Sequence, residues 1–132
     1  MKIYGIGTDI IKTNRIKNLL KKKNFVERLF NINEIKRCIK TKKSSNCFAK
    51  RFAAKEAFSK ALGTGISQGI NFNEIIILNE KNGKPFIKLT HNTKKVVEKK
   101  LGKKNYKISL SLSDEENYAV AFVTISLWEK IK

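Results

Sequence analysis

Apolar residues recur along this chain with two different periods. Residues 106–112, Y-K-I-S-L-S-L, alternate apolar and polar, which predicts a half-buried strand. After an S-D-E-E-N turn, residues 118–127, Y-A-V-A-F-V-T-I-S-L, predict a second strand long enough to cross a sheet. K-I-Y-G-I-G-T, residues 2–8, reads as a strand whose two glycines permit close backbone approach, with Asp9 at or near its end. E-I-I-I-L, residues 74–78, and residues 86–89 flank Asn82-Gly83, a hairpin signal. The helical period governs the rest. Residues 13–23 predict a helix with Thr13 as cap and Ile16, Leu19 and Leu20 on one stripe. Phe25, Val26, Leu29 and Phe30 suggest a short second helix. N-I-N-E at 31–34 resembles a capping box, opening a helix to about Thr41. K-K-S-S-N is then a loop, and the longest helix runs from about 47 to 62 and ends at Gly63. A further helix covers 92–101, before Gly102. Helices and antiparallel hairpins are mixed without a strict βαβ repeat, which predicts an α+β fold. With no internal repeat, no linker and a single proline, Pro85, one domain is expected over residues 1–132.

Composition narrows the setting. A chain of 132 residues is long enough for a real core. No apolar run approaches membrane-spanning length, so no membrane partner is expected. The N-terminus meets glycine and aspartate too early for a signal peptide, which places the protein in the cytoplasm as an expectation. Cys38 and Cys47 fit neither a metal spacing nor a disulfide framework and are expected to be ordinary, partly buried thiols. The lone histidine, His91, stands at a helix start away from every motif, with a capping or surface role.

Charge raises a nucleic-acid reading. Lysine and arginine total 29 against 11 acidic residues, a formal net charge of +18. Only Arg15, Arg28, Arg37 and Arg51 are arginines, the better readers of phosphates and bases. Much of the lysine excess fits compositional drift onto solvated faces. Most phenylalanines fall on apolar stripes rather than interleaving with the charge, so no nucleic-acid partner is expected. The remaining field favours acidic partners.

The stretch F-A-A-K-E-A-F-S-K-A, residues 52–61, carries the candidate chemistry. Glu56 and Lys60 share a helix face, and the plain reading is a surface ion pair of about 0.3–0.5 kcal/mol. Ala53, Ala54, Ala57 and Ala61, however, make a surface for very close packing, and an enclosed carboxylate needs a cation. Asp9, otherwise a turn or cap residue, is the natural companion. If the two converge they make a hard oxygen site suited to Mg²⁺ and substrate phosphates, with Lys60 and Arg51 neutralising phosphate oxygens. G-I-G-T-D and G-T-G-I-S match neither a P-loop nor a dinucleotide fingerprint. Asp114 in S-L-S-D reads as a hairpin-turn aspartate.

Taken in order, G-I-G-T-D-I at 5–10, R-F-A-A-K-E-A-F-S-K-A at 51–61 and G-T-G-I at 63–66 make the chain resemble the holo-[acyl-carrier-protein] synthases, the short bacterial phosphopantetheinyl transferases. F-V-E-R at 25–28, N-G-K-P at 82–85 and S-L-S-D with Y-A at 111–119 extend the resemblance over essentially the whole chain. It implies transfer of 4'-phosphopantetheine from coenzyme A to a serine of apo-acyl carrier protein for fatty-acid synthesis, with adenosine 3',5'-bisphosphate leaving. It implies Mg²⁺ on Asp9 and Glu56, with Lys60 as a third catalytic residue. Coenzyme A would be held by Arg51, Lys60, Gly63 and Gly65, and the acidic carrier docked by Arg15, Lys22 and Arg28. It also implies a homotrimer with each site between two subunits. Some members carry histidine at the position of Asp114, and no general base is assigned there. The competing expectations are a nucleic-acid-binding module and a carrier-binding protein without catalysis.

Overall fold

A computed structural model describes residues 1–64, 69–102 and 105–129. Its elements are β1 (Lys2–Lys12), α1 (Thr13–Leu19), α2 (Lys23–Leu29), α3 (Ile32–Ile39), α4 (Ser44–Leu62), β2 (Ile75–Asn79), β3 (Pro85–Leu89), α5 (His91–Leu101), β4 (Asn105–Asp114) and β5 (Tyr118–Trp128). A single 3-10 turn, Phe72–Glu74, leads into β2. β5 lies between β1 and β4 in an antiparallel sheet, and β2 and β3 form a separate hairpin. This is an α+β fold. No described helix is long and apolar enough to cross a membrane.

The inner face of the large sheet packs on α4, and small residues set how close it comes. Ala53, Ala54 and Ala57 are fully buried and Ala61 nearly so. A Cβ on Gly5 would collide with the backbone carbonyl of Ala61, and one on Gly7 with that of Ala57. The G-x-G of β1 therefore lets a strand lie directly on a helix backbone. Across the sheet Asp9 pairs with Ala121 and Ile11 with Ala119, so the neighbouring β5 positions are small as well.

Lys55 leaves the opposite side of α4 and is completely buried. Its ammonium donates to Glu34 Oε1 at 2.8 Å and to the carbonyls of Phe72 at 2.7 Å and Ile75 at 2.5 Å. Glu34 completes the predicted capping box by accepting from Asn31 N, and its other oxygen accepts from Ile77 N at 3.1 Å. One buried pair thus ties α3, the 3-10 turn and β2 to α4. Burial pushes the Lys55 ammonium down to about 8, opposed by Glu34, and it stays charged at neutral pH.

Several expectations are corrected. Cys38 and Cys47 are not free thiols: a disulfide joins the end of α3 to the first turn of α4, with Cα atoms 5.4 Å apart. Their spacing closes a hairpin of helices, a constraint not visible in two isolated cysteines. The helix expected over 13–23 ends already at Leu19 as α1, and the short second helix expected around Phe25 is α2. In a continuous helix Lys17 and Lys21 would stand four apart with like charge. α4 begins at Ser44 rather than 47. Asp9 lies inside β1, which runs on to Lys12, and Asp114 is the last residue of β4 rather than a turn residue. His91 opens α5 with φ of 49°, in the left-handed region that only a few non-glycine residues occupy.

Candidate functional site

Close packing of β1 on α4 brings the expected carboxylates together. Asp9, on the inward side of β1, and Glu56, on the facing side of α4, are near enough to repel one another. Burial raises the pKa of both carboxyls, and for Glu56 the charge of Asp9 raises it further. Lys60 and Arg15 oppose these shifts. Lys60 Nζ lies 3.3 Å from Asp9 Oδ1 and donates to the Thr8 carbonyl at 3.0 Å. The ion pair that Lys60 makes is with Asp9 on the strand rather than with Glu56 on its own helix. Its side chain remains 57% exposed and free to meet a ligand.

Two partly desolvated carboxylates in mutual repulsion fit a hard divalent cation. Among the described residues no cluster of three or more His, Cys, Asp or Glu could hold a metal. The two oxygen donors of Asp9 and Glu56 fit the chemistry of Mg²⁺, which keeps several waters and accepts phosphate oxygens alongside one or two carboxylates.

Arg51 lies elsewhere. It is five residues before Glu56, so it points about 140° away around α4. It lines a second cavity of about 590 Å³ with Arg37, Lys42, Lys43, Lys50, Asn79 and Asp114. The residue is only 4% exposed. Its guanidinium donates to the Cys47 carbonyl at 3.3 Å, Cys47 Sγ at 3.2 Å and Asn79 Oδ1 at 3.0 Å, all neutral acceptors. Its Nε has no partner. Burial lowers the pKa of this group, with Glu34 opposing from a distance. A buried cation without a direct anionic partner, in a cavity lined by four further cations, is suited to phosphate.

Asp114 is the one carboxylate among the described residues that line that cavity. Burial resists its ionisation, but the bonds from Asn46 and Lys50 outweigh burial and hold it below the usual aspartate range. Asn46, Lys50 and Asn79 were not foreseen as site residues. Asn46 and Lys50 stand four apart at the head of α4, a spacing that signals a shared face but not its partner across the fold.

The remaining expected residues are dispersed. Gly63 ends α4 with φ of 85°, where nothing approaches its missing side chain. Gly65 lies outside the described residues. Arg15 is exposed on α1, within electrostatic reach of Asp9 and Glu56. Lys22 and Arg28 line a shallow depression beside Phe25. A larger cavity of about 930 Å³, lined by Val26, Phe30, Ile35 and Ile76 and bordered by His91, includes none of the expected site residues.

Known proteins resemble this chain in sequence and in fold. A sequence profile of the 4'-phosphopantetheinyl transferase superfamily matches residues 5–123. A holo-[acyl-carrier-protein] synthase of Pelagibacter ubique is 45% identical over 125 residues, covering 95% of this chain and 98% of that protein. The crystal structure of the Neisseria meningitidis holo-[acyl-carrier-protein] synthase superposes with a TM-score of 0.84 at 40% identity, covering 94% of this chain and 98% of that one. The Helicobacter pylori synthase, solved in complex with coenzyme A, superposes with a TM-score of 0.77 at 34% identity, covering 92% and 99%. With the G-x-G strand laid on the K-E-A helix and their two carboxylates facing, the chain belongs to the 4'-phosphopantetheinyl transferase superfamily, among the holo-[acyl-carrier-protein] synthases.

Proposed function

We propose that this protein transfers 4'-phosphopantetheine from coenzyme A to a serine hydroxyl of apo-acyl carrier protein, yielding the holo carrier for fatty-acid synthesis in the cytoplasm. The observation that carries the reading is the convergence of Asp9, Glu56 and Lys60 where β1 lies on α4.

Asp9 and Glu56 would hold Mg²⁺. When bound there, the metal would supply charge neutralisation to the phosphates of the substrate. Lys60, whose side chain is largely exposed, would turn its ammonium to the phosphates. Arg51 and the lysines of the basic cavity would bind the phosphates of coenzyme A, and Gly63 and Gly65 would allow the chain to pass close to it. Arg15, within electrostatic reach of the carboxylates, and Lys22 and Arg28, beside Phe25, would steer the acidic carrier and orient its serine.

The two halves of this machinery stand on different faces of α4, and this supports a shared site in a homotrimer. In that assembly the carboxylate half of one subunit works with the basic cavity of the next.

The test is intact mass measurement of apo-acyl carrier protein incubated with the protein, coenzyme A and Mg²⁺. The expected result is a gain of one phosphopantetheine, lost with chelator and with Glu56→Gln. An unchanged carrier mass from folded protein would overturn the reading.

A further inference from the structure

The chain supplies its own anion to one cation of the basic cavity and not to another. Asp114 Oδ1 lies 3.1 Å from Lys50 Nζ, while Oδ2 accepts from Asn46 Nδ2 at 2.9 Å. Lys50 and Asp114 keep 31% and 27% of their side-chain surface open, so a ligand can reach the pair. Arg51, nearly buried, has only neutral acceptors. An entering phosphate would therefore find Arg51 without an anionic partner and Lys50 already occupied.

We propose that Asp114 sets the affinity of this cavity for its polyanionic ligand by competing with a ligand phosphate for Lys50. The proposal rests on the reading that the phosphates of coenzyme A enter this cavity. A carboxylate and a phosphate cannot both approach one ammonium without repelling each other. If Lys50 stays on Asp114, the cavity has lost one unit of positive charge. If Lys50 moves to the ligand, Asp114 remains as a nearby anion. Either way the carboxylate subtracts from binding. Asn46 makes the exchange possible: it also donates to the Glu115 carbonyl at 3.2 Å, and so holds Asp114 in place when Lys50 leaves. In a chain of net charge +18, such a residue keeps the leaving adenosine bisphosphate from being retained.

The experiment is calorimetric titration of coenzyme A and of adenosine 3',5'-bisphosphate into the native chain, Asp114→Asn, Lys50→Met and the double variant. Asparagine keeps an acceptor for Asn46 and removes only the charge. Asp114→Asn should tighten both ligands about tenfold at low ionic strength, with the gain shrinking as salt rises. The gain should vanish in the Lys50→Met background, and product inhibition should strengthen by the same factor. A purely structural Asp114 would lower Tm without tightening either ligand. Unchanged or weaker binding in Asp114→Asn, or an equal gain without Lys50, would overturn the proposal. Arg51→Met tests the underlying reading, with Lys43→Ala at the rim as a second variant should Arg51→Met melt. Both should weaken coenzyme A binding. If neither does, the cavity does not hold coenzyme A and both readings fall. If they weaken it and Asp114→Asn does not tighten it, only the role of Asp114 falls.

Discussion

Asp9 and Glu56 are held together against their own electrostatics. Both carboxyls are pushed up by burial, and Glu56 is pushed up further by Asp9. A carboxyl whose folded pKa is raised favours the fold while protonated, and that contribution is lost as pH rises through the folded value. Removing the charge should therefore relieve the fold while disabling the site. Glu56→Gln is expected to melt at or above the native Tm in metal-free buffer. The difference should grow from acidic to neutral pH, as the native Glu56 ionises. The same substitution should lower phosphopantetheinylation by at least about 100-fold, the scale of a lost electrostatic contact in a transition state. Mg²⁺ should raise the Tm of the native chain by binding the folded state alone, and should do so much less for Glu56→Gln or Asp9→Asn. Thermal melts with and without Mg²⁺ check this independently of turnover. A large loss of Tm in Glu56→Gln would mean that the carboxylate is a structural ion-pair partner.

At the scale of elements, the site depends on β1 lying on the backbone of α4. A methyl group on Gly7 would meet the Ala57 carbonyl and the Ala61 amide, both backbone atoms that cannot swing aside. Gly7→Ala is expected to cost about 1–3 kcal/mol, as overpacking does, and to lower turnover by parting Asp9 from Glu56. Denaturant unfolding and the carrier assay measure the two effects separately. On the far side of the helix, Lys55→Met would leave Glu34 charged and buried, with an expected loss of about 3–5 kcal/mol. Lys55→Met combined with Glu34→Leu should recover much of it, because the orphaned charge is gone. Both sides of α4 were only partly legible in the sequence. The Asn31–Glu34 capping box, the Gly63 terminus and the Asn82-Gly83 turn are local signals, and they hold in the fold. G-x-G and the alanine-rich helix pointed to close packing and to Asp9 near Glu56, because small residues have few other uses there. What stayed hidden requires a second segment. The mate of Lys55 is a capping-box glutamate 21 residues earlier, already explained by its local role. The partners of Asp114 lie 64 and 68 residues before it, beyond any periodicity. The Cys38–Cys47 bond depends on how α3 turns into α4, which neither cysteine announces.

At the scale of the molecule, the outer face of the three-stranded sheet has an uncharged middle between Lys107 at one end and Lys12 at the other. In successive rows across β1, β5 and β4 it presents Ile6, Thr124 and Ser109, then Thr8, Phe122 and Ser111, then Ile10, Val120 and Ser113. Ile6, Ile10 and Phe122 are 61%, 65% and 45% exposed. On a chain of net charge +18, nine neighbouring uncharged positions with three open apolar side chains make a surface suited to association. The proposed homotrimer, in which the carboxylate half of one subunit meets the basic cavity of another, needs such an uncovered surface. That geometry can be tested by mixing two defective proteins. Glu56→Gln spoils the carboxylate half and keeps the cavity; Arg51→Met does the reverse. In randomly reassembled trimers made from equal amounts, a site is whole only where an Arg51→Met subunit supplies the carboxylates and a Glu56→Gln neighbour supplies the cavity. That combination occurs at about one site in four, so the mixture should recover about a quarter of native activity after dissociation and reassembly, from two nearly inactive parents. Phe122→Glu, which places a charge in the middle row, should give monomers by sedimentation and abolish the recovery. If the mixture stays as inactive as its parents while sedimenting as a trimer, both halves of each site come from one chain.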